Sequence, residues 1–223
     1  VASCLLDSST FRVSFGAAAH ARAYRCFEAV LAAGERSPVV LAELAFLHSE
    51  AVMVGSPYPA NATAKAALAL AKEAVKTAPT SAFAQKALGY VQIRLGEVDG
   101  AVLSMRRAHE LQPHNPGVVI AYAYALVFAG DYDGASVALS RIPAEIYDQP
   151  GLLHYVRFLA RFGAGDIDGV RSAAAALAAD DGPQFLVARL IAAHASGETD
   201  RATKLLERLQ ATSSDLARNP RSV

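Results

Sequence analysis

The sequence predicts an all-α protein, a right-handed superhelical α-solenoid of about six helical hairpins. The first observation is a short turn pattern, glycine followed by an acidic residue, any residue and Asp. It begins at Gly96, Gly130, Gly165 and Gly197, so successive copies lie 34, 35 and 32 residues apart. The second is a hydrophobic content of 53% in 223 residues, which is ample for one continuous core. Repetition at this period is typical of solenoids built from helical hairpins.

Each copy of the turn pattern is predicted to join two helices. Its glycine can adopt the left-handed conformation that ends a helix. The acidic residues that follow then lie at the positive N-terminal end of the next helix. A small residue such as Ala101 or Ala135 comes next, and it allows the two helices to approach closely.

The hairpins follow one another within a predicted solenoid domain of residues 1–210. The first is assigned from Ala23, Phe27 and Val30, which share one face of its second helix. The second ends at Pro79, 34 residues before Pro113. It carries a loop insertion over residues 55–61 that contains two prolines. The predicted hairpins cover residues 2–33, 38–78, 82–113, 116–143, 150–180 and 183–209, and residues 211–223 form a polar tail.

The third hairpin shows the repeat pattern most completely, since large and small residues alternate along it before a proline. These residues are Leu88, Gly89, Leu95, Ala101, Met105, Ala108 and Pro113. The pattern resembles that of the tetratricopeptide repeat family, which implies stacked hairpins and a binding role. In the last two hairpins the match is weaker, because Phe158 and Leu190 stand where the family usually has a small residue.

The two cysteines are placed so that they can meet. Cys4 precedes Phe15 by 11 residues and Cys26 follows it by 11, so a hairpin turning near Phe15 brings them to the same height. A disulfide can form if the side chains face one another. The alternative is two buried thiols, because free cysteine is among the most buried residue types.

No constellation of residues predicts catalysis. The six histidines are scattered without metal-ligand spacing, and no paired cysteine motif occurs. Pairs such as Asp131 and Asp133 recur with the turns and therefore belong to the scaffold. We expect no enzymatic activity, no cofactor and no metal. Equal numbers of basic and acidic residues, 21 each, also argue against nucleic acid as a partner.

The first helix of each hairpin is expected to line a concave groove. Projecting the repeat register onto that face selects aromatic and basic side chains, which form an aromatic trough with a cationic end. Such a surface suits a peptide bearing a carboxylate or a small amphipathic anion. The alternative is that these rings fill the inner layer and contact one another. The predicted groove residues are Phe46, Lys86, Tyr90, Arg94, Tyr124, Phe128, Tyr155 and Phe162.

A narrower resemblance begins near Cys4 and includes Cys26 and the proline-containing insertion before Ala67. Together these features are similar to the C-terminal repeat domain of bacterial membrane-anchored transcriptional regulators and class III adenylate cyclases. The resemblance implies a sensory or adaptor domain that binds a protein, peptide or small ligand for an effector domain outside this sequence. A disulfide would favour the periplasm, with the cytoplasm as the alternative. The competing function is a structural module that self-associates into homo-oligomers.

Overall fold

The computed structural model describes residues 1–14, 16–54, 63–143, 150–177 and 183–218. In these ranges the chain forms twelve α-helices and no strand, which confirms the prediction of an all-α protein built from helical hairpins. The helices are α1 (Ala2–Ser14), α2 (Ala17–Ala32), α3 (Pro38–Val54), α4 (Ala64–Thr77), α5 (Ala82–Arg94), α6 (Val98–Leu111), α7 (Pro116–Phe128), α8 (Tyr132–Leu139), α9 (Pro150–Gly163), α10 (Ile167–Ala175), α11 (Pro183–Ala195) and α12 (Thr199–Arg218).

The helices form two compact units, residues 1–125 and residues 126–220. In the first unit α1 packs on α2, α3 on α4 and α5 on α6, and α3 also contacts α5. In the second unit α9 packs on α10 and α11 on α12, while α8 contacts α9 and α10 contacts α11. None of the described helices is long and apolar enough to cross a membrane.

The predicted turn glycines close the first helix of each pair. Gly96, Gly130, Gly165 and Gly197 have φ between 71° and 79°, the left-handed region that glycine adopts without a steric penalty. At Gly96, the amide of the glycine donates to the carbonyl of Ile93 over 3.0 Å, and the Glu97 amide donates to the carbonyl of Gln92 over 2.9 Å. These two bonds satisfy carbonyls that the end of a helix leaves free. The predicted role of these glycines is therefore confirmed.

Small residues allow close contact between helices, as the repeat pattern predicts. Ala67, Ala71 and Ala74 are fully buried on one face of α4. On α5, Gly89 faces α6, where a Cβ added to it would lie 2.7 Å from the Cγ of Met105. Gly89 on α5 thus leaves the space that the large side chain of Met105 on α6 occupies.

The second helices of the pairs differ in length. α4 and α6 have 14 residues each, whereas α8 has 8 and α10 has 9. α12 has 20 residues and extends to Arg218, into the segment predicted as a polar tail. The predicted turn at Phe15 and the predicted insertion at residues 55–61 lie outside the described residues.

Candidate binding face

A disulfide joins the first two helices. Cys4 on α1 and Cys26 on α2 are bonded, with an S–S distance of 2.04 Å and a Cα–Cα distance of 5.3 Å. Cys4 is buried beside Phe11, Tyr24 and Phe27. The bond therefore fixes α1 against α2, and α1 in turn carries Arg12 to the surface of α3.

Three predicted groove rings form a ladder in the first unit, one from each of α3, α5 and α7. The ring centroids of Phe46 and Tyr90 are 6.0 Å apart, and those of Tyr90 and Tyr124 are 6.1 Å apart. These separations fall in the range of favourable aromatic pairs. All three side chains are half-buried. Each ring therefore contributes to inner packing and also keeps part of its surface available to a ligand.

Arg94 is already neutralised by an acidic residue. Its guanidinium donates to the Oε1 atom of Glu50 over 2.9 Å, and Glu50 is 4% exposed. Burial lowers the pKa of Arg94, but Glu50 and Tyr124 outweigh it and the net pKa is raised. Burial raises the pKa of Tyr124 in turn. The structure thus gives Arg94 a role in holding α5 to α3, which leaves little charge for a ligand.

Lys86 is the predicted cation that keeps its charge available. Its Nζ atom lies 5.6 Å from the centroid of the Phe83 ring, and within the described residues it has no ion-pair or hydrogen-bond partner. Burial and, to a smaller extent, the nearby Arg12 lower the pKa of Lys86, Glu43 opposes both, and the resulting pKa is about 8. At pH 7 the amine is still roughly nine-tenths protonated. The α5 part of the ladder therefore presents a poorly solvated positive charge.

Sequence analysis missed a polar network beside Lys86. The guanidinium of Arg12 donates to both carboxylate oxygens of Glu43, at 3.0 and 2.9 Å, and lies 4.4 Å from the centroid of Phe46. Ser8 donates to the same carboxylate over 2.6 Å. The sequence contains one indication of this network: Glu43 is the one acidic residue within the apolar run of residues 39–47. A buried acid in such a helix requires a partner.

We use the name ladder face for the surface formed by Phe46, Lys86, Tyr90, Arg94 and Tyr124, all in the first unit. The other three predicted groove residues belong to the second unit. Phe128 and Phe162 are exposed there, at 46% and 51%. Tyr155 is half-buried and packs edge to face on Phe185 at 5.8 Å. The structure therefore brings five of the eight predicted residues together.

Helical hairpins, left-handed glycine turns and a ladder of partly exposed rings define a helical-repeat scaffold. Comparison with known proteins agrees with this class. Residues 96–157 match the model of the tetratricopeptide repeat family, which supports the repeat assignment for that part of the chain. No curated protein matches the chain.

Two solved structures have a similar fold. One is a tetratricopeptide repeat protein from Parabacteroides merdae, with a TM-score of 0.55 and 14% identity over 94% of this chain and 78% of that one. The other is the APC/C hetero-tetramer Cut9-Hcn1, with a TM-score of 0.55 and 14% identity over 86% of this chain and 42% of that one. The present chain thus spans less than half the length of the second protein. At this identity the likeness shows the fold alone.

Proposed function

We propose that this chain is a non-enzymatic adaptor that binds a protein partner through the ladder face. The observation that carries the proposal is Lys86, a half-buried ammonium without an anionic partner among the described residues. Enclosing an unpaired charge is costly, and a carboxylate from a ligand would supply the missing partner through a charge-assisted hydrogen bond. Tetratricopeptide folds commonly mediate protein–protein interaction, which agrees with this role.

The ladder also indicates what should lie next to that carboxylate. Tyr90 follows Lys86 by one helical turn on α5 and contacts Phe46, and both rings are only partly buried. An aromatic or aliphatic side chain of a peptide can pack there and gain binding energy from the apolar area that it buries. We therefore favour a peptide segment with a carboxylate beside an apolar side chain. A small amphipathic anion has the same chemistry and is the alternative ligand.

The test is a library of short peptides with free C-terminal carboxylates, compared with the same library in amidated form. We expect the free acids to bind more tightly, and Lys86→Met to remove that preference. Lys72→Met is the matched control, because Lys72 is an exposed lysine on the outer helix α4. Equal binding of acids and amides, or an unchanged preference in Lys86→Met, would contradict the proposal. Binding of amphipathic anions without peptide binding would assign the face to the small ligand.

We further infer that binding serves as the sensing step of a larger bacterial signalling or transcription-regulating protein. The support is the resemblance carried by Cys4, Cys26 and the proline-containing insertion. A disulfide that persists in the native protein suits an oxidising compartment, so we place this domain in the periplasm. Counting thiols in denatured, unreduced protein from its native host tests this: free Cys4 and Cys26 would argue for the cytoplasm.

Self-association is the second candidate function, and the surface of α1 favours it. Leu6 is 70% exposed and Leu5 is 37% exposed, although Cys4 beside them is buried. A second copy could cover these side chains. Sedimentation velocity over a range of concentrations tests this candidate. An assembly that Leu6→Glu disrupts would support it, whereas a monomer at every concentration would exclude it.

A further inference from the structure

A small cavity lies in the second unit, away from the groove residues. It has a volume of about 210 Å³ and is bounded by α10, α11 and the start of α12. The described residues of its apolar wall are alanines, Ala174 and Ala175 on α10 with Ala192 and Ala193 on α11. Since these side chains are short, longer polar side chains at the edge can reach across the space.

Each of the three helices contributes one arginine to this cavity. Arg171 comes from α10, Arg189 from α11 and Arg201 from α12. Arg189 is only 6% exposed, which is rare for a charged residue. Among the described residues, Glu198 lines the cavity and Asp168 pairs with Arg171 at its edge, so three guanidinium groups meet two carboxylates there.

Arg171 and Arg201 can exchange their present partners for a ligand at little cost in stability. Arg171 pairs with Asp168 and Arg201 pairs with Glu198, in each case three residues apart along the chain. Their side chains are 51% and 53% exposed. Exposed pairs of this kind contribute little to stability, because solvent screens them. A ligand with stronger acceptors can therefore compete for both guanidinium groups.

A buried hydroxyl supplies an independent observation. The Oγ atom of Ser196 is buried and finds no hydrogen-bond partner in the described part of the chain, and Ser196 lines the same cavity. Buried polar atoms normally have a partner. Guanidinium groups and a hydroxyl can all donate, so the missing ligand should be rich in acceptors.

We propose that this cavity binds a tetrahedral oxyanion, a phosphate or sulfate group. Such a group has several acceptor oxygens, which suits the planar donor geometry of arginine. The cavity is smaller than the roughly 300–1,000 Å³ typical of pockets for larger organic ligands. The site therefore holds the anionic group itself, either free or carried on a larger molecule that remains outside.

Equilibrium dialysis of radiolabelled inorganic phosphate against the whole chain, at fixed ionic strength, tests the proposal. We expect saturable binding of one phosphate per chain. The variant Arg171→Gln with Arg201→Gln should bind at least about tenfold more weakly, because it removes two of the charged donors that would bind the anion. The matched control is Arg36→Gln with Arg107→Gln, which removes two exposed, ion-paired arginines from the first unit.

Ser196→Ala distinguishes phosphate binding in the cavity from non-specific attraction to surface charge. It removes no charge, yet we expect it to weaken phosphate binding several-fold without lowering stability, because the hydroxyl has no partner to lose. Competition by O-phospho-L-serine would assign the site to a carried phosphoryl group, and failure to compete would assign it to the free anion. Absence of saturable binding up to ~10 mM phosphate would overturn the proposal. Equal weakening in both arginine variants would also overturn it.

Discussion

Lys86 connects the chemistry of the ladder face with the stability of the fold. Its pKa is about 8 in the folded chain and 10.5 as an ordinary lysine. Between these pH values the unfolded chain binds more protons than the folded chain, so the free energy of unfolding rises with pH. We expect wild type to gain about 2–3 kcal/mol over Lys86→Met between pH 8 and 10.5. Urea unfolding at several pH values measures this difference.

Lys72→Met is again the control for this measurement, because Lys72 lies on the exposed face of α4. It should keep the pH dependence of wild type. If Lys86→Met also kept that dependence, Lys86 would not be desolvated in the folded protein, and the main support for a carboxylate ligand would be lost.

Glu50 and Arg94, unlike Lys86, neutralise each other's charge. Removing one of the two should therefore destabilise the fold. Glu50→Gln leaves a largely buried guanidinium without its counter-charge, which should cost about 3 kcal/mol. Replacing both residues, by Glu50→Leu and Arg94→Met, should recover most of that loss. A double-mutant cycle measured by chemical unfolding provides the test. Additive losses in the double variant would show that the two side chains are not coupled.

At the scale of single helices, the second glycine of the turn pattern has a defined role. Asp131 accepts a hydrogen bond from the amide of Gly134 at the start of α8, and Asp166 accepts one from Gly169 at the start of α10, each over 2.9 Å. A Cβ on either glycine would collide with the capping carboxylate. The glycine therefore makes room for the side chain that begins the helix.

This arrangement predicts that the effect of Gly134→Ala on stability changes sign when the capping side chain of Asp131 is removed. In wild type, Gly134→Ala should destabilise by roughly 0.5 kcal/mol, because loss of the cap, about 1–2 kcal/mol, exceeds the gain in helix propensity. In the Asp131→Ala background the collision is absent, so Gly134→Ala should stabilise by roughly 0.5–1 kcal/mol through helix propensity. Thermal unfolding measures both effects. Asp131→Asn, which retains the cap, should behave like wild type, and the same sign in all backgrounds would refute the interpretation.

Two buried histidines link α2 to α3 and make this contact sensitive to acid. The Nε2 atom of His20 lies 2.8 Å from the carbonyl oxygen of Leu47, so Nε2 carries the proton and donates. The hydroxyl of Tyr24 lies 2.7 Å from the Nε2 atom of His48. Burial lowers the pKa of both histidines below 6.5, while Glu50 opposes this at His20 and Glu28 opposes it at His48.

The unfolded chain therefore binds more protons than the folded chain as the pH falls below 6.5. The free energy of unfolding should be constant with respect to these groups above pH 6.5 and should decrease below it. Replacing both histidines, by His20→Gln and His48→Gln, should reduce this acid sensitivity in a urea titration from pH 7.5 to 4.5. His114→Gln, which alters an exposed residue, serves as the control. An unchanged slope in the double variant would assign the acid response to other groups.

The sequence was most informative about local structure and least informative about pairing between distant helices. The spacing of Gly96 and its counterparts predicted the turns, because a left-handed glycine is a local requirement. Asp131 and Asp166 were predicted to lie at helix starts for the same reason. By residue type both Asn61 and Thr63 suit the cap of α4; Asn61 lies outside the described residues, and the side chain of Thr63 caps this helix. Neighbouring polar residues compete for one cap, so a sequence alone locates it only approximately.

The composition of the ladder face was predictable, but its electrostatics were not. Helical register alone selects Phe46, Lys86, Tyr90 and Arg94 as residues of one surface. The bond between Arg94 and Glu50 joins residues 44 positions apart, and it depends on the relative register of α3 and α5. The contact between Arg12 and Glu43 depends in the same way on the placement of α1, a helix without the repeat pattern. Contacts of this kind are set by packing between helices.

For the whole molecule, stability should be distributed along the chain as in other repeat proteins, where each repeat interacts mainly with its neighbours. The Cys4–Cys26 bond closes a loop with a sequence separation of 22, so its removal should cost roughly 3 kcal/mol. Since α1 contacts α2, and α2 contacts α3, that loss should be confined to this end of the first unit.

Hydrogen exchange on the variant Cys4→Ser with Cys26→Ser tests this expectation. Amides of α1, α2 and α3 should lose protection, because the disulfide no longer holds Arg12 and Phe11 against α3. Amides of α11 and α12 should exchange at the wild-type rate, because in the described part of the chain these helices pack on each other and on α9 and α10. Wild type treated with a reducing agent should reproduce the pattern, which separates loss of the bond from effects of the serines. A uniform loss of protection from α1 to α12 would instead show that the chain unfolds as one cooperative body.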